Sequence, residues 1–151
     1  MTFKQKIHAH CLQLLNDKIL GLEKILDELK ESGESDTKSS AGDKHETARA
    51  MIQIEQENIG KQLNEVLEQK TLLEKITSAA VREGSVVKQG CLVKTNRGYL
   101  FLSIALGKII FEDKPIMVVS PQSPLGMKLM GLNVKDSTAI NGINYCIESI
   151  E

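Results

Sequence analysis

The chain has 151 residues, 19 Lys plus Arg against 20 Asp plus Glu for a net charge of −1, and is 41% hydrophobic but only 3% aromatic. That is the material of one or two small domains, and a pI near 6.3 lacks the concentrated positive field on which direct, sequence-specific DNA binding draws. No run approaches the roughly 18 apolar residues of a membrane span, and Met1 to Ala9 lacks the long apolar stretch of a secretory signal, so no membrane partner and a cytoplasmic location are expected.

From His8 onward, Leu12, Leu15, Ile19, Leu22, Leu26 and Leu29 step by alternating threes and fours, with Ile25 beside them. This is a heptad seam on a long helix. A second seam runs through Ile52, Ile59, Leu63, Val66 and Leu73, with Gln56 and Lys70 taking polar turns in the same alternation. Between them, Ser32-Gly33 to Gly42 holds no large apolar side chain and reads as a loop. Two helices joined by such a loop fold back antiparallel and bury both seams. Residues 1–77 are therefore expected to form an antiparallel coiled-coil hairpin with an acidic tip near 33–46. With about 30 residues per arm and about 1.5 Å of rise per residue, each arm extends about 45 Å, so the loop is expected at the end of a stalk. Because the hairpin satisfies its own seams, a monomer is expected.

After Ser78 the period changes. Val86-Val87, Cys91 to Thr95, Tyr99 to Ala105, Lys108 to Phe111, Ile116 to Val119 and Tyr145 to Ile150 read as short strands punctuated by Gly90, Gly98, Gly107, Pro115 and Gly142. Asn96-Arg97-Gly98 reads as a hairpin turn. Ser123 to Met130 reads as one short helix, capped by Ser123 with Pro124 in its first turn. Residues 78–151 are thus expected to be a small antiparallel sheet covered by one helix, and the whole chain α+β. Charge divides along the same line: residues 1–77 carry 11 basic and 14 acidic side chains, about −3, and residues 78–151 carry 8 and 6, about +2.

The tip and its flanks hold Glu31, Glu34, Asp36, Asp43 and Glu46 against only Lys38 and Lys44. Clustered carboxylates repel one another, so such a tip is either fully solvated or kept for a cation. Asp43-Lys44-His45-Glu46 also fits a helix start, with Asp43 as N-cap and Glu46 as the N3 residue of a capping box. The two roles are compatible if a cation arrives only with a partner.

These residues carry a resemblance. Gly42-Asp43-Lys44-His45-Glu46-Thr47-Ala48 is similar to the tip motif of the Gre family of bacterial transcript-cleavage factors, the GreA and GreB type: an Asp and a Glu three apart, then a small polar residue and Ala. Ser123-Pro124-Leu125-Gly126, followed by Leu129-Met130-Gly131 and Val134-Lys135-Asp136, resembles a segment of that family's C-terminal domain. The spacing from the tip to the β-rich half is similar as well, so the likeness spans essentially the whole chain.

The resemblance implies an FKBP-like C-terminal domain that docks at the rim of the secondary channel of RNA polymerase, with Ser123, Pro124, Leu125 and Gly126 in the docking segment. It implies a hairpin that enters the channel and brings Asp43 and Glu46 to the polymerase active centre, where the pair helps hold a Mg²⁺ ion and a water for cleavage of a backtracked transcript. That ion belongs to the polymerase complex, and no stably bound cofactor is implied. The chain would be an accessory factor and not itself an enzyme. The alternatives are a channel-binding regulator that does not stimulate cleavage, and a coiled-coil adaptor. A prolyl isomerase, suggested by the FKBP-like fold, would need an aromatic-lined pocket, for which the β-rich half offers only Tyr99, Phe101, Phe111 and Tyr145.

Other residues read as ordinary structure. His8 and His10 are expected at a solvated helix start, His45 on the surface, and Met117, Met127 and Met130 in core gaps. Cys11, Cys91 and Cys146, odd in number and far apart, read as small core residues and not as a disulfide or zinc framework. Lys88, Lys94, Arg97 and Lys108 are either docking contacts to an acidic surface or the solvated side of strands.

Overall fold

A computed structural model describes residues 1–38, 42–76 and 85–151, the side chains of 34–38 and 42–45 excepted. The fold is α+β. Two long helices, α1 (Phe3–Lys38) and α2 (Gly42–Lys75), are followed by β1 (Leu92–Thr95), β2 (Gly98–Leu102), β3 (Gly107–Phe111), β4 (Lys114–Val119), the short α3 (Pro124–Leu129), β5 (Ser137–Ile140) and β6 (Ile143–Ile150). The chain forms two compact units, one of residues 13–70 and one that joins residues 1–12 to 71–151.

Helix α1 starts on a reciprocal cap. The Thr2 hydroxyl accepts from the Gln5 amide at 3.2 Å, and the Gln5 side-chain oxygen accepts from the Thr2 amide at 2.9 Å. This Thr-x-x-Gln box satisfies two amides that a helix start leaves without partners.

In the unit of residues 13–70 the two seams meet as their spacing requires. Leu15 and Ile19 of α1 and Ile59 and Val66 of α2 are buried, while Leu22, Leu26, Leu29, Ile52, Gln56, Leu63 and Lys70 are half-buried. Gly33 late in α1 lies beside Ile52 early in α2: a Cβ built on the glycine would sit 3.8 Å from Ile52 Cγ2. The helices run antiparallel. The expected loop from Ser32 to Gly42 is corrected over Ser32 to Lys38, which continue α1, and at Gly42, which opens α2; residues 39–41 lie outside the described residues. Ser, Thr and Gly each cost less than about 1 kcal/mol relative to Ala within a helix, and each added residue contributes a backbone hydrogen bond. Gly33 also extends the seam from Leu29 by one step of four.

In the other unit the strands lie in the order β3-β4-β2-β1-β6-β5. The sheet is mixed and not wholly antiparallel, because β2 and β4 pair in parallel, Tyr99 beside Ile116 through Leu102 beside Val119. A parallel pair needs a crossover, which β3 and its return supply. The turn expected at Asn96-Arg97-Gly98 is present with Asn96 and Arg97 as its two loop residues, while Gly98, at φ +111, opens β2 opposite Thr95. Thr95 locks it, its hydroxyl donating to the Gly98 carbonyl at 2.8 Å and accepting from the Arg97 amide at 3.1 Å.

Val86-Val87 is not a strand. Buried Val87 instead donates its amide to Leu132 O and accepts from the Gly131 amide, both at 2.9 Å. Strand β5 was not anticipated, although Asn141-Gly142, with both φ positive, is a standard signature of a two-residue hairpin turn. One face of the sheet buries Val93, Leu100, Leu102 and Ile147 with Val87, Cys91 and Leu129 of α3. By register, the opposite face carries Leu92, Phe101, Ile109, Ile116 and Val118.

Candidate functional site

The sequence singles out two places, the first turn of α2 and the segment that opens α3. Helix α2 begins at Gly42, so Asp43 lies inside the first turn and not before it as an N-cap. Its side chain and that of His45 fall outside the described residues. Glu46 is exposed one turn from the helix start, where a carboxylate is favoured by the unpaired amides and the helix dipole. Positions 43 and 46 are thus three apart in one helical turn. Among the described residues no group of three or more His, Cys, Asp and Glu is placed to hold a metal.

The α3 segment is built as the sequence anticipates. Ser123 is the N-cap, its hydroxyl accepting from the Gly126 amide at 3.0 Å and donating to Ser120 O at 2.6 Å, and Pro124 occupies the first turn. Gly126 is buried against the preceding turn: a Cβ there would meet Ser120 O at 2.1 Å and Pro121 Cα at 2.9 Å. Leu125 packs partly buried against the core. Of the four residues assigned to docking, Ser123, Leu125 and Gly126 shape the segment from inside, and Pro124 is exposed. Met127 (62% exposed), Met130 and Val134 continue the outer surface. The expectation that Met117, Met127 and Met130 fill core gaps is corrected, since all three are exposed.

Sequence reasoning missed a third cluster, where the first turns of α1 join the sheet. Phe3 stacks on Tyr99 with ring centroids 5.2 Å apart and meets Phe111 edge-on at 6.0 Å, while Lys114 Nζ lies 4.8 Å from the centre of the Phe3 ring. His10 packs on Phe111 at 5.0 Å. His8 lies edge-on to Phe101, and its Nε2 is 2.8 Å from Leu73 O of α2. Neither histidine is the solvated helix-start residue expected. The signal available was the placement of apolar residues at 3, 7 and 11, one helical face that precedes the seam.

Ile7 and Cys11 are fully buried here, and burial pushes the Cys11 thiol up to about 12. Lys4 is also buried. Desolvation lowers its pKa, opposed by the negative potential of Cys91 and Glu151. Cys91 is buried, but Cys146 is exposed and so is not a core residue. Tyr99, Phe101 and Phe111, three of the four rings available to line a pocket in the β-rich half, are engaged by α1. Lys94 and Lys108 are exposed, as either reading of them requires. Compared with protein-family models and with curated proteins, the chain matches none.

Proposed function

We propose that this protein is a Gre-like accessory factor of RNA polymerase, which enters the secondary channel with its helical hairpin and stimulates cleavage of backtracked transcripts through Asp43 and Glu46. The observation that carries the reading is the antiparallel pair of helices, 36 and 34 residues long, whose second member opens on those two acidic positions. Within the unit of residues 13–70 the two arms, at about 1.5 Å per residue, are each about 40 Å long, a length suited to a narrow channel. The capped Ser123-Pro124 segment, with exposed Pro124 and Met127 on a rigid turn, supports a docking role for the sheet-bearing unit.

Chemically, the two carboxylates offer the hard oxygen ligands that a loosely held Mg²⁺ requires, and the ion supplies activation of a water and neutralisation of phosphate charge. The chain's own part is to carry that charge on the first turns of α2 to a site where the polymerase supplies the remaining ligands.

A second reading has a specific observation behind it. Exposed Arg49 follows Ala48, placing a cation one turn beyond Glu46, where the Gre motif continues with an acidic residue and an aromatic. That arrangement favours a factor which occupies the channel without stimulating cleavage. A cleavage assay on a backtracked elongation complex separates the two. Stimulation that disappears in Asp43→Asn/Glu46→Gln, with polymerase binding retained, supports the cleavage reading. Absent stimulation together with competition against a genuine cleavage factor supports the silent one. Failure to bind core polymerase overturns both.

A further inference from the structure

We propose that β3 is a self-complementary edge through which two copies of this chain pair as antiparallel strands. Strand β3 is the outermost of the sheet. Its connection to β4 is the two-residue turn Glu112-Asp113, with φ of 50° and 62°, which makes Phe111 and Lys114 a hydrogen-bonded pair. Alternation then assigns the ladder bonds to Phe111, Ile109 and Gly107, opposite Lys114, Ile116 and Val118. The backbone N–H and C=O groups of Lys108 and Ile110 therefore point away from the sheet. The other side of β4 agrees, since Val119 O accepts from the Ser103 amide next to β2, at 2.9 Å.

Among the described residues this five-residue edge is protected by its shortness and by Lys108 alone. Natural edge strands are blunted by shortness, lysine and other charges, proline, bulges or a covering segment. Here the register with β4 is unbroken, the five residues Gly107 to Phe111 contain one charge, and Ile110 is 64% exposed with Met117 (40% exposed) diagonally beside it. A row of outward amides and carbonyls is matched group for group by another extended backbone, which leaves the identity of that strand to be argued.

The sequence of β3 answers for itself. In an antiparallel pair centred on Ile109, Lys108 stands opposite Ile110 of the second copy and Gly107 opposite its Phe111. Four backbone hydrogen bonds form, and each sheet face continues into the same face of the other. Like charges never stand opposite, because each Lys108 stem covers an Ile110. Each ammonium also falls one register step from the Glu112-Asp113 turn of the second copy. Among the described residues no atom lies within 4 Å of a Cβ placed on Gly107, so nothing blocks the approach of a second strand there.

The test is sedimentation of the full chain at concentrations up to about 1 mM, enough to see a weak pair, with amide exchange measured across the same series. The expected result is a monomer–dimer equilibrium in which the Lys108 and Ile110 amides gain protection as concentration rises, while the Ile109 amide is protected throughout. Ile110→Pro deletes the outward donor and the Ile110 side chain that Lys108 of the second copy would cover, at a position where an edge strand tolerates proline. It should weaken dimerisation at least tenfold. A wild-type monomer at every concentration, a concentration-dependent gain located on other amides, or a folded Ile110→Pro that pairs like wild type would each overturn the proposal. The exchange result stands on wild type alone, even if the variant fails to fold.

Discussion

Gly126→Ala isolates the packing that shapes the α3 segment. In an exposed helix the change would be favourable by about 1 kcal/mol, because alanine is the better helix former. At this position the new methyl would sit 2.1 Å from Ser120 O and 2.9 Å from Pro121 Cα. Both are backbone atoms with no rotamer to retreat into, so the 120–121 turn must move. Ser120 O accepts from the Ser123 amide at 3.0 Å and from the Ser123 hydroxyl at 2.6 Å, and moving it disrupts two bonds worth about 1 kcal/mol each. Overpacking adds about 1–3 kcal/mol. Set against the propensity gain, the net destabilisation is about 2–4 kcal/mol. Urea unfolding followed by circular dichroism would measure it, with Ser123→Ala as a comparison that loses the cap and the hydroxyl bond to Ser120 O, about 2 kcal/mol, without overpacking. A Gly126→Ala variant as stable as wild type would refute the reasoning, since the propensity gain would then have met no opposing contact.

Two further predictions concern the cysteines. Under native conditions a thiol-alkylating reagent should modify exposed Cys146 quickly while sparing buried Cys11 and Cys91, and mass spectrometry after brief labelling would read the pattern; fast modification of Cys11 would contradict its burial. In alkaline solution the Cys11 thiol, ordinarily near 9.0 and pushed up to about 12 by burial, keeps its proton in the folded chain after the unfolded chain has lost it. Stability is therefore full below pH 9 and falls from there toward pH 12 by about 1.4 kcal/mol per pH unit. Lys4 acts in the opposite sense, because its lowered pKa makes stability rise with pH up to 10.5. Denaturant midpoints across pH 8–11 should show a downward Cys11 component that Cys11→Ala removes.

The seams and the α3 cap were legible because each is a local pattern with one physical solution: a heptad repeat has to be buried, and Ser-Pro before an apolar turn has few alternatives to capping. The Thr2-Gln5 box and the Asn141-Gly142 hairpin were equally local. The strand they imply before Gly142 was missed because Ser137 to Ile140 lies at the sheet edge, with two of its residues exposed and only Thr138 and Ile140 half-buried, and so lacks an apolar stripe. The loop at the hairpin end was misjudged by composition: weak helix formers still extend a long helix that already pays for its nucleus. The parallel pairing of β2 with β4 was not readable, since strand order depends on contacts distant in sequence. At the candidate site, position and charge were legible, but the inward use of Ser123 and Gly126 was not.

The least legible feature was the role of the first 12 residues, and it yields a strong test. A boundary placed at Ser78 by the change of periodicity suggests that residues 78–151 form a domain by themselves. In the structure, Met1–Leu12 and Thr71–Lys75 belong to the same compact unit as the sheet, with fully buried Ile7, Cys11 and Leu73. They meet the sheet on the face of Tyr99, Phe101 and Phe111. That face also carries Leu92, Ile116 and Val118, and the four side chains Leu92, Phe101, Ile116 and Val118 are each at most 1% exposed. Full burial of such a side chain is worth about 1.5–3 kcal/mol. Losing half of that burial at all four costs about 3–6 kcal/mol, comparable with the whole stability of a small domain. A fragment of residues 78–151 should therefore be largely unfolded, with collapsed amide dispersion and no cooperative melt, and adding a peptide of residues 1–12 should restore little, because Leu73 and the His8 contact to its carbonyl are still missing. If the fragment melts cooperatively near the temperature of the full chain, the helix ends are accessories to the sheet and the two-segment core described here is wrong.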